Sequence, residues 1–220
     1  SESNSLTRWT VERSVDFLET RDESRPFFLW TSFAKPHPPF DPCLSYWLLY
    51  QNADIPSPVC GNWSHDPSKI PTGFLESSRA LGFAERLTKK QLLDAKRAYY
   101  ACITQVDYNL GILFARMREL NLLNNTTIIF TSDHGEMLGD HNIAAKQVFF
   151  EGSAHVPMII RPAKGLMDDS LKGTACDSLS CLADILPTCL YAAGLKAPKT
   201  LKTNGINLFD QITKKNKRPV

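Results

Sequence analysis

At 220 residues the chain is long enough for one sizeable hydrophobic core, or for most of a larger domain. Its 25 Lys and Arg against 23 Asp and Glu leave a net charge of +2 with no long run of one sign, which gives no footprint for nucleic acid. No apolar stretch approaches the roughly 20 residues of a membrane span, and the N-terminal SESNSLTRWT has no basic region leading into an apolar run.

In chain order, Leu6, Trp9, Val11, Val15 and Leu18 recur at near-helical spacing after the cap candidates Asn4 and Ser5, predicting an amphipathic helix to about Thr20. Pro26 then introduces Phe27 to Phe33, a short apolar run rich in strand formers, expected as a core strand covered on both faces. From Lys35 to about Leu87 eight prolines, among them Pro36, Pro38, Pro39 and Pro42, break regular structure and predict one long loop region over 35–87.

Thr88 to Gln91 has the form of a capping box. After it Leu92, Ala95, Tyr99, Ile103, Val106, Leu110, Leu113, Met117 and Leu120 keep one face apolar, and Asn121 to Asn125 ends the helix. Gly111 weakens it by about 1 kcal/mol relative to alanine. Thr126 to Thr131 reads as a second core strand and Val156 to Arg161 as a third, closed by Pro162. A last helix is expected from Asp184, with Pro187 in its first turn and Gly194 as its stop. Helices alternating with short apolar strands imply an α/β fold, a largely parallel or mixed sheet flanked by helices.

Six cysteines, Cys43, Cys60, Cys102, Cys176, Cys181 and Cys189, contain no CxxC pair and no zinc spacing, leaving buried thiols or disulfides. Asn62-Trp63-Ser64 and the two overlapping triplets at Asn124 and Asn125 match the glycosylation acceptor pattern, which arises often by chance.

In such sheets ligands bind beyond the carboxyl ends of the strands, so the residues just after each strand carry the chemistry. The first strand runs into Ala34-Lys35-Pro36-His37-Pro38-Pro39-Phe40, where prolines on both sides hold one imidazole, His37. The second runs into Thr131-Ser132-Asp133-His134-Gly135-Glu136-Met137-Leu138-Gly139-Asp140-His141, a plausible metal-binding loop whose glycines permit tight turns. Asp133 is an ordinary ligand for Mg²⁺ or Ca²⁺, whereas an imidazole such as His134 is less usual for hard cations. Lys146 closes the loop with an ammonium suited to an anionic substrate or to protonating a leaving oxygen. The plainer readings are a structural histidine at His37, a turn acid at Asp133, an outer-shell orienting role for His134 and a surface lysine at Lys146. Glu136, Asp140, His141 and His155 are close enough in sequence to line a pocket but serve equally well as loop or substrate-edge residues, and His65 is incidental.

Taken together, Lys35-Pro36-His37 with Pro39-Phe40, Ser132-Asp133-His134-Gly135, Leu138-Gly139-Asp140-His141, Lys146, Glu151-Gly152 and His155-Val156-Pro157 resemble the sulfatases in order and spacing. The wording is nearest to the iduronate-type and choline-type enzymes of the alkaline phosphatase superfamily, and the resemblance covers roughly residues 7–209. It implies that superfamily's α/β sandwich, with Asp133 and His134 on a divalent metal, usually Ca²⁺ with Mg²⁺ as the alternative. Lys146 would contact the sulfate group and His37 would hydrogen-bond near the ester oxygen.

The family nucleophile is a formylglycine made in a Cys/Ser-x-Pro-x-Arg motif, and this sequence has none: Ser24-Arg25-Pro26 is followed by Phe28 where arginine is required. The acidic pair that completes the family's metal shell is missing too, and Asp168-Asp169 is no substitute. The expectation is therefore a single partial catalytic domain over 1–220, the central piece of a sulfatase without its N-terminal nucleophile segment, and inactive in isolation. The implied substrate is a small sulfated alcohol, whether choline sulfate, an aryl sulfate or a sulfated sugar, with the loop 41–87 as the local determinant. The rivals are a phosphodiester or phosphonate hydrolase or a phosphoglycerol transferase of the same superfamily, and a non-catalytic module. Compartment stays open, with the exported or lysosomal habit of many sulfatases as its one pointer.

Overall fold

The protein was described from a computed structural model, over residues 2–69, 87–198 and 200–213. Contacts divide it into two compact units, one of Ser1–Asn121 with His134–Val156, the other of Leu122–Asp133 with Pro157–Val220.

In the first unit, helix α1 (Leu6–Thr20) starts where Ser5 Oγ accepts the Arg8 N–H at 3.1 Å, the cap read from the sequence. Its buried stripe is Thr7, Val11, Ser14 and Leu18, while Leu6 and Trp9, expected inside, are 55% exposed. Two small polar residues on this face allow close approach, and Ser14 Oγ is satisfied by Thr10 O and by the Thr31 hydroxyl.

Helix α2 (Leu44–Tyr50) lies inside the stretch expected to be irregular. It occupies the proline-free interval between Pro42 and Pro56, buries Tyr46, and hydrogen-bonds to the next helix through Tyr50 Oη and Thr104 Oγ1 at 2.7 Å. Of the same region, 70–86 falls outside the described residues.

Helix α3 (Lys89–Glu119) carries the predicted capping box: the Thr88 hydroxyl accepts the Gln91 N–H at 3.2 Å, and Gln91 Oε1 accepts the Thr88 N–H at 2.8 Å. Both α1 and α2 pack on it. Two neighbours turn its buried stripe away from the purely apolar one: Ala98, Ala101, Cys102, Gln105, Val106, Asn109, Leu113 and Met117 are inside, and Ile103 is exposed. The Glu2 carboxylate accepts from both buried amides, from Asn109 Nδ2 at 2.7 Å and from Gln105 Nε2 at 3.2 Å, while Asn109 Oδ1 has no partner.

Phe27 to Phe33 corrects another expectation. It has no strand partner among the described residues, and its burial alternates, with Phe27, Leu29, Thr31 and Phe33 partly covered and Phe28 and Trp30 about two-thirds exposed. An unbroken apolar run hides this period of two, because side chains of both faces are equally apolar.

In the second unit, β1 (Ile128–Thr131) and β2 (Met158–Arg161) pair in register, Phe130 opposite Ile159. Both predicted strands are present and the class is α/β, but this pair is antiparallel rather than parallel. No crossover helix of the usual length joins them, only a loop with the one-turn helix α4 (Glu151–Ala154).

The helix expected from Asp184 is α5 (Ile185–Ala192), with Asp184 just before it and Gly194 in the left-handed region after it. A further short helix, α6 (Leu208–Ile212), follows it and was missed. Asp184 is wholly buried, its two carboxylate oxygens accepting the Cys181 and Ile206 N–H groups at 2.8 Å each. Thr188 extends this hub, donating to Asp184 O and accepting the Leu208 N–H. All six cysteines are free thiols. Among the described residues no helix is long and apolar enough to cross a membrane.

Candidate active site

The loop after β1 re-enters the first unit at His134 and is folded onto itself by short backbone bonds. Gly135 N–H donates to Ser153 O at 2.8 Å, Met137 N–H to Ala145 O at 2.8 Å, and Gly139 N–H to Ile143 O at 2.9 Å. Met137 and Ile143, each 1% exposed, anchor it in the unit's interior. The proline-rich segment clamps its outer turn: Val59 N–H donates to Asp140 Oδ1 at 2.9 Å, His141 N–H to Val59 O at 2.8 Å, and Gly61 N–H to His141 Nδ1 at 3.2 Å.

Two glycines act here for different reasons. Gly139 has φ +95°, as a tight turn requires. Gly135, expected to serve a turn, instead allows close approach: a Cβ there would lie 2.1 Å from Gly152 O. Gly135→Ala is therefore expected to push residues 134–137 off residues 152–153. The loss should be at least about 3 kcal/mol of the kind seen for overpacking, checked by urea unfolding of the full-length protein.

The loop is also strained. Leu138, His141, Asn142, Ala145 and Gln147 all have positive φ, between +48° and +75°. Non-glycine residues enter this region rarely and at a cost, and such strain concentrates at functional sites. Lys146 stands between two of these residues.

His37 is positioned from the other side. Its N–H donates to Ala34 O at 3.0 Å, and Lys35 pairs with the Asp41 carboxylate and donates to Pro39 O, which closes the turn around the imidazole. Phe40 packs edge-on against Tyr99 of α3, ring centroids 5.5 Å apart.

Lys146 Nζ lies 2.7 Å from His37 Nε2, although 109 residues separate them in the chain. His37 Nδ1 lies 2.8 Å from Pro38 O. A carbonyl only accepts, so Nδ1 carries the proton, Nε2 carries the lone pair, and the Lys146 ammonium donates to it. The ring of His134 is edge-on to that of His37 with centroids 6.2 Å apart. His134 Nδ1 likewise donates to Gly135 O at 2.8 Å, so the neutral ring carries its lone pair on Nε2.

Three of the four residues singled out in the sequence, His37, His134 and Lys146, thus come together in one unit. Asp133 precedes His134 directly and ends the second unit's β1 segment; it is exposed, with Ser132 Oγ 3.5 Å from its carboxylate.

The residues set aside divide differently. His141 packs against both Trp63 and Phe150, ring centroids 5.2 and 4.7 Å away, as part of the clamp. His155 is exposed and pairs with Glu151 at 2.7 Å. Glu136 was underrated: burial raises its carboxyl above the ordinary carboxylate range, opposed by Lys146, by the Ala145 and Met137 amides and by His134. Its spacing to Lys146 carries no helical or strand period, so only the folded loop reveals the association.

The fold is that of the alkaline-phosphatase-like hydrolases. Phosphonate monoester hydrolase of Agrobacterium radiobacter superposes on all of this chain, and on 44% of its own, with TM-score 0.86 and 27% identity. The chain belongs to the sulfatase family, whose model matches residues 3–195. It is 39% identical over 210 residues to an arylsulfatase of Clostridium perfringens, covering 96% of this chain and 42% of the relative. A choline-sulfatase of Rhizobium meliloti is 31% identical, covering 88% and 37%. The chain spans about two fifths of the length of the curated relatives it matches.

The family implies a divalent metal and a formylglycine. Among the described residues no group of three His, Cys, Asp or Glu side chains is placed to hold a metal ion.

Proposed function

We propose that the full-length protein is a metal-dependent sulfatase that hydrolyses a sulfate ester to an alcohol and sulfate. The observation that carries this reading is the Lys146–His37 contact at 2.7 Å with His134 beside it, one ammonium and two imidazoles from three separate sequence positions. Lys146 holds an ammonium where an ester's sulfate oxygen would lie, and donates to it as negative charge grows. His37 Nε2 accepts from the same ammonium, and Lys146, or His37 when protonated at Nε2, would give the proton that the departing alcohol oxygen takes up. The Pro38 carbonyl keeps the ring in the tautomer this requires.

Asp133 and His134 would hold the metal, for which we favour Ca²⁺, and its charge would stabilise a sulfate oxygen in the transition state. Aryl sulfates are the first substrate class to try, since the Clostridium perfringens relative is an arylsulfatase. The structural likeness to a phosphonate monoester hydrolase supports a second reading, hydrolysis of a phosphonate or phosphodiester at the same residues.

The test compares 4-nitrophenyl sulfate with bis-4-nitrophenyl phosphate, using the full-length protein and its Lys146→Ala variant. Sulfate turnover is expected to dominate, and losing the Lys146 donor is expected to lower it by about 10²–10³-fold. Phosphodiester turnover alone would establish the second reading; turnover of neither ester would reject both.

A further inference from the structure

We propose that Lys35 is a positioning residue for His37, anchoring the backbone that holds the imidazole with Nε2 toward Lys146.

Pro36, Pro38 and Pro39 have no N–H, so the segment around His37 can tie down little of its own backbone. Among the described residues its internal backbone bonds are His37 N–H to Ala34 O and Asp41 N–H to Pro39 O, each at 3.0 Å. The Lys35 ammonium adds what the prolines cannot: it donates to Pro39 O at 2.5 Å and pairs with the Asp41 carboxylate. Pro39 directly follows Pro38, whose carbonyl accepts from His37 Nδ1 at 2.8 Å, and the opposite ring nitrogen accepts from Lys146 at 2.7 Å. The connection therefore runs from Lys35 through the Pro38–Pro39 backbone to the imidazole and on to Lys146. Releasing Pro38 O would free the ring to turn and to carry its proton on either nitrogen.

A surface ion pair would be the plainer role, and such pairs contribute little while costing side-chain entropy. Lys35 differs in its burial: its side chain is 17% exposed against 66% for Asp41, so the ammonium is drawn in over the turn instead of reaching into water. A covered ammonium needs acceptors, and Pro39 O and the Asp41 carboxylate, both on the segment that carries His37, supply them.

Two readouts test this in the full-length protein, and only the second rests on the sulfatase reading. The first is the imidazole ¹⁵N spectrum of histidine-labelled protein at about pH 8, above the ordinary imidazole range, with His37 assigned by its loss in His37→Gln. Wild type is expected to show one tautomer, with the proton on Nδ1. Lys35→Met, which keeps the stem and removes the ammonium, is expected to bring the two His37 nitrogen shifts together, as in a ring exchanging between tautomers, and Lys35→Arg to keep the wild-type pattern. The second is leaving-group dependence. Lys35→Met is expected to lower turnover of phenyl sulfate by about 10–100-fold, mostly in kcat rather than KM, and that of 4-nitrophenyl sulfate by less, because the better leaving group needs the proton less.

Unchanged His37 shifts in Lys35→Met overturn the proposal, as do Lys35→Arg shifts that match the Met variant or equal losses on the two esters. If wild type turns over neither ester, the functional reading fails and the spectrum still decides the positioning role. If Lys35→Met does not fold, Asp41→Ala, which opens the same clamp from its more exposed side, takes its place with the same expected direction.

Discussion

Asp133→Ala is expected to cut sulfate-ester turnover of the full-length protein by about 10³-fold or more, the several kcal/mol a catalytic metal contributes. The residue ends the strand segment directly before His134, whose own ring is turned to offer Nε2. Removing the carboxylate takes away the charged half of that pair, and an imidazole alone is a poor ligand for a hard cation. Metal content of purified protein, measured alongside kcat/KM, checks the cause: variant and wild type should differ in both together. Chelation of the wild type should reproduce the loss, and adding back Ca²⁺ should restore activity better than Mg²⁺. A variant that keeps full activity after metal is stripped would reject Asp133 as a ligand.

Asp184→Ala is expected to destabilise the second unit by about 3 kcal/mol, because two backbone N–H groups lose their acceptor together. The side chain is wholly buried and bonds both Cys181 and Ile206, so it fastens the turn before α5 to the segment before α6. Thr188 adds a second bridge to Leu208, which keeps the damage local. Asp184→Asn, which retains one acceptor oxygen, should lose less. Urea unfolding followed by exchange in peptides 179–212 reads both variants, and an unshifted midpoint for the alanine variant would contradict the role.

Neither residue stands out by the same signal. Asp133 is singled out in the sequence because it shares a short loop with His134 and glycines directly after a strand. Asp184 reads as the start of the last helix, and its position just before α5 agrees; its main work, bonding residue 206, depends on a return of the chain that no local pattern encodes.

The same division runs through the fold. Capping boxes and stop residues act over three or four positions, so Ser5, Thr88 and Gly194 were legible where they stand. Which face of a helix is buried depends on its neighbours, and so Ile103 and Trp9 turned out exposed while Gln105 and Asn109 lie inside with Glu2 as partner. The proline count hid α2, since it recorded the breaks and not the interval between them.

By itself the sequence determined the α/β class, the ends of the two long helices, both strands of the pair and the sulfatase family, because each rests on side chains within a few positions or on a motif order that survives linear reading. Tertiary structure decided that the pair is antiparallel, that Gly135 serves close packing, and that Lys146 reaches His37 across 109 residues. Those are properties of backbone returns, whose partners lie far apart in sequence and meet only when the chain closes on itself.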